Sequence, residues 1–435
     1  MSDTMIGVWG IGGLLALISA RAPIGLSLVL VSYLGLWAIS DQAAAWGMLQ
    51  VVPFSFIANW TLSSVPMFLL MGFVCYRCGL TEGLFTAARL WFSRLPGGLA
   101  IASVFGCSGF AAVTGSSVAC AAAMGKVAVP EMIRNGYDLK LATGTLAAAG
   151  TVGALIPPSI LLIIFGVVAQ VPINALFLAG LGIGLATSAM YVLIIIVRVK
   201  LDPTLAPRVL ESATWAQHWA AIKSTWPIVV LILGVLGGLF GGLFTATQAG
   251  AVGATLSLVV AALKGTLTRE SFRLATVETL VTCGGLFIVI VGASMLTRFL
   301  TLSGVGEVIA SGVDSINAGP VTLLLGITLV YLLLGMFLEP IGAMLITLPI
   351  FLPMVRGADI SLIWFGAYVA KMLEIGMITP PVGLNVFVLS STVGKSAPAD
   401  LIFRGIWWFF VGELVLIALI IAVPGIVLWF PSLLA

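Results

Sequence analysis

Charge is what this 435-residue sequence has least of: Asp, Glu, Lys and Arg make up 8% of it, against roughly 25% in an average soluble domain. That excludes a water-soluble globular chain. With 61% hydrophobic residues and a mean hydropathy of +1.22, the composition is that of a polytopic membrane protein. No polar stretch is long enough for an extramembrane catalytic domain. Histidine is nearly absent: the single one, His218, reads as part of a loop with Trp215 and Trp219, which excludes His-based triads and His-Glu metal motifs. There is no Gly-x-x-x-x-Gly-Lys-Ser/Thr run, so ATP hydrolysis by a phosphate loop is excluded. The net charge is only +3 and the cations are scattered, which argues against nucleic-acid binding. Cysteines number five, and Cys75-Tyr-Arg-Cys78 has neither a second pair nor a nearby His, so they read as small buried thiols rather than a redox or metal site. Lys and Arg are missing from Met1 to Met5; the first apolar segment is therefore expected to remain rather than be cleaved as a signal peptide. Neither enzyme activity nor a resident cofactor is expected.

What is present is a long series of apolar runs. Ten read as crossing segments, near 6–20, 22–39, 63–79, 141–170, 173–197, 225–240, 243–263, 277–300, 363–394 and 405–431. Two more, 98–125 and 321–355, carry polar or breaker-rich middles, Thr114-Gly115-Ser116-Ser117 and Glu339-Pro340-Ile341-Gly342, and read as re-entrant hairpins. A kinked full crossing is the other reading of each. With both re-entrant, 16 of the 19 Lys and Arg fall on one face, which makes that face cytoplasmic and both termini external. Arg77, Glu82, the first hairpin and Pro157 recur as Arg298, Glu307, the second hairpin and Pro380, at offsets of 221 to 225 residues. Five crossings separate the two copies, so they enter the membrane from opposite faces as inverted repeats. The expected fold is all-α, with N-terminal scaffold helices over 1–50, a first repeat over 51–200 (arm helix 80–95, hairpin 98–125, broken helix 141–170), a cytoplasmic loop over 201–223 and a second repeat over 224–435 (arm helix 305–318, hairpin 321–355, broken helix 363–394). The arms are amphipathic and too short to span, suiting helices that lie in the interface.

The most informative residues are two Pro-Pro breaks, Ile156-Pro157-Pro158-Ser159 and Thr379-Pro380-Pro381-Val382. Proline lacks an N–H and pushes on the carbonyl four residues back. The breaks therefore free the carbonyls of Gly153, Ala154, Gly376 and Met377. In hydrocarbon such oxygens need protein, water or a cation. Helix ends at a tip offer carbonyls to cations and amides to anions. Intramembrane charges are few. Glu339 sits at the second tip, and Lys371 and Glu374 are spaced to share a helix face and neutralise one another. Asn385 can both donate and accept and is a candidate substrate contact. Arg77 and Arg298 read as interface anchors, and Glu278 and Glu413 have no assigned role.

Taken together, Gly109-Phe-Ala-Ala-Val-Thr-Gly-Ser-Ser-Val-Ala through Pro130-Glu-Met-Ile-Arg-Asn-Gly-Tyr137, Gly153-Ala-Leu-Ile-Pro-Pro-Ser159, Gly335-Met-Phe-Leu-Glu-Pro-Ile-Gly342 and Glu374-Ile-Gly-Met-Ile-Thr-Pro-Pro-Val-Gly-Leu-Asn385 make nearly the whole chain resemble the large membrane subunit of tripartite ATP-independent periplasmic (TRAP) transporters, the DctM-like branch of the ion transporter superfamily. The resemblance implies a sodium-coupled elevator importing an organic acid. Na+ is then the coupling ion, with one site at Ser116, Ser117, Gly153, Ile156 and Pro158 and a second at Gly335, Gly376, Thr379 and Val382. Substrate would lie between the tips, near Thr114, Glu339 and Asn385. The implied partners are a small four-helix membrane subunit, expected as a separate chain, and a periplasmic substrate-binding protein. The implied setting is a bacterial or archaeal inner membrane. Two other readings use the same residues: a stand-alone sodium/dicarboxylate symporter of the same superfamily, and a non-transporting membrane scaffold.

Overall fold

Apolar runs of this length satisfy their backbone polar groups within the segment only as helices, and helices are what they form. The computed structural model describes residues 2–207, 214–306, 308, 319–394 and 396–433. From the N-terminus run α1 (Asp3–Ser19), α2 (Ile24–Ile39), α3 (Gln42–Ile57), α4 (Ser64–Arg77) and the short α5 (Glu82–Phe92). The first hairpin is α6 (Gly98–Thr114) with α7 (Ser117–Arg134), and the first broken helix is α8 (Leu139–Gly150) with α9 (Ile160–Ala169). Next come α10 (Ile173–Leu201), α11 (Trp215–Ser224), α12 (Trp226–Phe240), α13 (Ala246–Leu263) and α14 (Arg269–Ser303). The second hairpin is α15 (Pro320–Gly335) with α16 (Pro340–Gly357), the second broken helix is α17 (Leu362–Gly376) with α18 (Leu384–Val393), and α19 (Ala399–Ala422) and α20 (Gly425–Leu433) close the described chain.

Among the described residues, α10, α13, α14, α16 and α19 are each long and apolar enough to cross a bilayer unaided. The α3 helix and the segment Trp60–Arg77 do so only as a pair bent by 57°, as do α11 and α12, bent by 50°. Length alone thus also admits α16, one arm of the second hairpin. The α3 helix lies in a stretch that hydropathy left out of the crossings: Gln42, Gln50, Pro53 and Ser55 dilute its apolar run, yet Asp41 caps it through Ala44 N at 2.6 Å. The final crossing read over 405–431 is divided at Val423-Pro424, as expected where a proline cannot continue the ladder. His218 lies on α11 rather than in a loop, behind a capping box made by Thr214 and Gln217. The second arm, 305–318, and its Glu307 fall outside the described residues but for its first positions; the first arm is α5, which packs against α11.

Packing interleaves the two halves. Helices α2 and α4 lie along α14, and α13 lies along α4. In the other layer α18 packs on α7, α19 on α8 and α17 on α10, so elements of the second half close over those of the first. The five cysteines are free and buried, in keeping with packing thiols.

Candidate functional site

Both hairpins turn, and both broken helices break, at the residues their sequence singles out. In the first hairpin Gly115 ends α6 in the left-handed region at φ +59°, a conformation that carries no Cβ penalty for glycine alone. Ser116 then caps α7, its Oγ accepting from Ala119 N at 3.4 Å. In the second hairpin Glu339 caps α16, accepting from Ile341 N at 3.3 Å and Gly342 N at 3.2 Å. The peptides Pro157–Pro158 and Pro380–Pro381 are both cis.

Tip and break touch in each half. In the first, a Cβ placed on Gly153 would lie 3.0 Å from both Cα and N of Ser117 and 3.2 Å from the carbonyl carbon of Ser116, while one on Gly115 would lie 2.6 Å from Pro158 O. Ser116, Ser117, Gly153 and Pro158 therefore come together; Ile156 is buried beside them and faces Gly184 of α10. In the second, a Cβ on Gly376 would meet Gly335 Cα at 2.5 Å and its carbonyl oxygen at 3.0 Å. Gly335 and Gly376 thus touch backbone to backbone. Thr379 joins them through its amide, which donates to Gly376 O at 3.1 Å, and Val382 lies half-buried further along the same break.

The freed carbonyls are less bare than proline geometry alone suggests. Ala154 O accepts from Ser159 Oγ at 2.5 Å, Gly376 O from Thr379 N, and Met377 O from Asn385 N at 3.1 Å. Each carbonyl carries two lone pairs, so these bonds hold the breaks open in a fixed shape while leaving acceptor capacity for a second ligand.

Two cavities border the tips. One of about 100 Å³ is lined by Gly115, Ser116, Ser117, Glu339, Glu374 and Met377, among others. The other, about 340 Å³, lies between the first tip at Thr114 and Ser116 and residues of α4 and α14, including Gly72, Tyr76, Glu278 and Thr282. Thr114 and Glu339 thus border open space. Asn385 does not line either of these cavities; it is fully buried.

The charge pairing expected within α17 is not the one the fold makes. Lys371 Nζ lies 2.5 Å from Glu413 Oε2 on α19 and donates to Thr187 Oγ1 of α10 at 2.9 Å. Tyr191 OH, also on α10, bonds Glu413 and lies 3.0 Å from Thr151 Oγ1 beside the first break. Glu374 instead accepts from Ser117 Oγ at 2.6 Å. Helical spacing puts Lys371 and Glu374 on one face, but α19 brings the carboxylate of Glu413 within ion-pair distance of Lys371. Nothing local in the sequence ties Glu413 to Lys371, 42 residues apart; its only signal was a carboxylate inside an otherwise apolar helix. Glu278 likewise finds a place: it accepts from Arg77 Nε at 3.1 Å and pairs with the same guanidinium at a second nitrogen, joining α4 to α14. Arg77 is thus part of an ion pair between α4 and α14.

An all-helical membrane protein in which two re-entrant hairpins abut two broken helices is a secondary-transporter architecture. The family described as "Tripartite ATP-independent periplasmic transporter, DctM component" matches residues 11–426, and the chain belongs to that family. It is 34% identical over 437 residues to the C4-dicarboxylate TRAP transporter large permease protein DctM of Vibrio cholerae, covering 95% of this chain and 94% of that one. It is 29% identical over 428 residues to the sialic acid TRAP transporter large permease protein SiaM of the same organism, covering 98% of each. A solved structure titled as the Alcanivorax borkumensis YdaH transporter, with an unusual topology, superposes with a TM-score of 0.65 over 97% of this chain and 98% of that one at 15% identity, a likeness of fold. The chain is a TRAP large permease subunit, a multi-pass membrane protein and not an enzyme.

Proposed function

We infer that this permease is a sodium-coupled importer of an organic acid, working by an elevator movement of the hairpins and broken helices against the scaffold. The observation that carries the reading is the contact of each tip with a Pro-Pro break, Ser116 and Ser117 against Gly153 and Gly335 against Gly376. Backbone oxygens at such junctions suit a hard monovalent cation. The first sodium site is proposed at Ser116, Ser117, Gly153, Ile156 and Pro158, and the second at Gly335, Gly376, Thr379 and Val382. Thr114 and Glu339, which border the cavities, are proposed to meet the substrate. The partners are a small membrane subunit and a periplasmic binding protein, in a bacterial or archaeal inner membrane with both termini on the periplasmic side. The substrate is taken to be a carboxylate-type anion, as the names of the dicarboxylate and sialic acid relatives suggest.

Reconstitution tests this reading. The chain, co-purified with its neighbouring membrane subunit in liposomes, should accumulate organic acid only with an inward sodium gradient and the binding protein outside. Brisk sodium-driven uptake by this chain alone would favour the stand-alone symporter, and no flux with any partner would favour a scaffold.

A further inference from the structure

The proposed first sodium site is built from hydroxyls and backbone carbonyls, and nothing in it bears a full negative charge. A buried carboxylate lies directly against it. Glu374 is 1% exposed and accepts from Ser117 Oγ at 2.6 Å. The one lysine on its own helix is already matched, because Lys371 sits 2.5 Å from Glu413. Lys371 and Glu413 cancel, and Glu374 is left over. A buried carboxylate with one hydroxyl donor and no cation is strongly disfavoured.

A second, independent observation points to the same place. Asn385 is fully buried, and both its Nδ2 and its Oδ1 lack a hydrogen-bond partner, a costly arrangement unless a ligand is to be met. Its amide comes up beside Ser117: a Cβ on Gly150 would lie 3.2 Å from Asn385 Nδ2 and 3.4 Å from Ser117 O, and since neither end of the amide is hydrogen-bonded, a half-turn of the side chain presents Oδ1 at the same point. Ser117 therefore presents its hydroxyl to Glu374 and its carbonyl towards the face that Asn385 lines. Carboxylate, carbonyl and amide oxygens are the donor set of a hard cation. Among the described residues no group of three or more His, Cys, Asp and Glu gathers to hold a transition metal.

Resting on the sodium-coupled reading above, we propose that Glu374 and Asn385 belong to the first cation site, Glu374 as its counter-charge and Asn385 as an oxygen ligand, which takes Asn385 away from the substrate. The charged and titratable side chains around Glu374 are Lys371 on α17, Glu413 on α19, Glu339 at the second tip, Cys120 on α7 and Tyr191 on α10; only Lys371 is cationic, and it is engaged. Because Ser117 belongs to the first half and Glu374 and Asn385 to the second, a cation held here would clamp the two repeats together.

The test is thermal melting of the purified permease titrated with NaCl against KCl at constant ionic strength. Wild type should be stabilised by sodium and not potassium. E374Q and N385A should each raise the half-maximal sodium concentration about tenfold or more, with E374D intermediate. A merely structural role would lower the melting point in KCl without moving the sodium midpoint, and that result overturns the proposal. If wild type itself shows no sodium-specific stabilisation, the sodium reading falls and this proposal with it; if wild type responds and both variants keep its midpoint, only this proposal falls. Should E374Q not fold, N385A and E374D give the same readout.

Discussion

The two broken helices share a design and differ in what surrounds them. Every residue from Thr151 to Ile160 is buried, whereas Pro380 and Pro381 of the second break are exposed and Val382 is half-buried. The first tip is likewise closed in, with Thr114, Gly115 and Ser117 buried, while Glu339 at the second is exposed. Capping follows the same division. In the first half hydroxyls finish both half-helices, Ser116 for α7 and Ser159 for α9; in the second a carboxylate caps α16, and α18 starts from Gly383 with no side-chain cap. Charge is divided too, since Lys371 and Glu374 lie on α17 and α8 has only Lys140, in its first turn. One architecture thus yields an enclosed junction whose own residues are neutral and a more exposed one, with the buried charges carried on the second half. The enclosed half fits the cation site proposed above, and the second half supplies the buried ion pair of Lys371 with Glu413, which joins α17 to α19.

The largest effect should come from the charged half. Lys371→Met leaves Glu413 buried beside Tyr191 without its cation, a change that costs about 3–5 kcal/mol. The double variant K371M/E413L should recover most of that, because it removes both charges together. Melting of the purified protein measures both; a double variant no more stable than K371M would show that the pair does not act as a unit. Since Tyr191 connects Glu413 to Thr151, K371M is also expected to loosen the first break, seen as faster hydrogen exchange over 151–160.

Next in size is a contrast between matched glycines. On Gly376 a Cβ meets backbone at 2.5 Å, and on Gly153 it meets backbone at 3.0 Å. In both cases the obstacle is main chain, which cannot swing aside. Gly376→Ala should therefore cost at the upper end of the about 1–3 kcal/mol typical of overpacking, and Gly153→Ala at the lower end. Both should weaken the sodium dependence of uptake. Equal melting points for the two would mean that the second tip gives way more readily than its close contact implies.

The breaks and tips were legible in the sequence because they depend on local chemistry. Pro-Pro pairs stop a helix wherever they fall, and Gly115 with Ser116 is a C-cap followed by an N-cap that needs no tertiary information. The contact of tip with break followed from the repetition of that pattern and from the resemblance to a family. What could not be read was which charge meets which. Lys371 has a carboxylate at helical spacing in Glu374, and the fold overrides it with Glu413 from a helix whose approach no local rule determines. Asn385 shows a related limit: its polarity marked it as a candidate contact, but that it is fully buried with no side-chain hydrogen bond follows only from the packing of α18 on α7. The α3 helix was hidden because its polar residues and Pro53 imitate a loop, although the bend at Ala58 and Asn59 lets it pair with the next segment.

The smallest predicted effect, at Val382, is read against Ser159, which tests how the enclosed junction stays closed. Ser159 acts twice, capping α9 through Leu162 N at 3.3 Å and donating to Ala154 O, a carbonyl that Pro158 has freed. Ser159→Ala removes both bonds from a fully buried site, for a loss of about 1–2 kcal/mol, whereas Ser159→Thr keeps the hydroxyl and should lose less. The second break has Val382 where the first has Ser159, and its Met377 O accepts from the amide of Asn385 instead. Alanine substitution at Val382 should therefore leave the unfolding free energy within about 0.5 kcal/mol of wild type, as is usual away from buried features. A silent S159A would mean that the first break is held by packing around Ile156 and Leu155 rather than by its hydroxyl, and the contrast between a hydroxyl-closed and an open junction would then rest on burial alone.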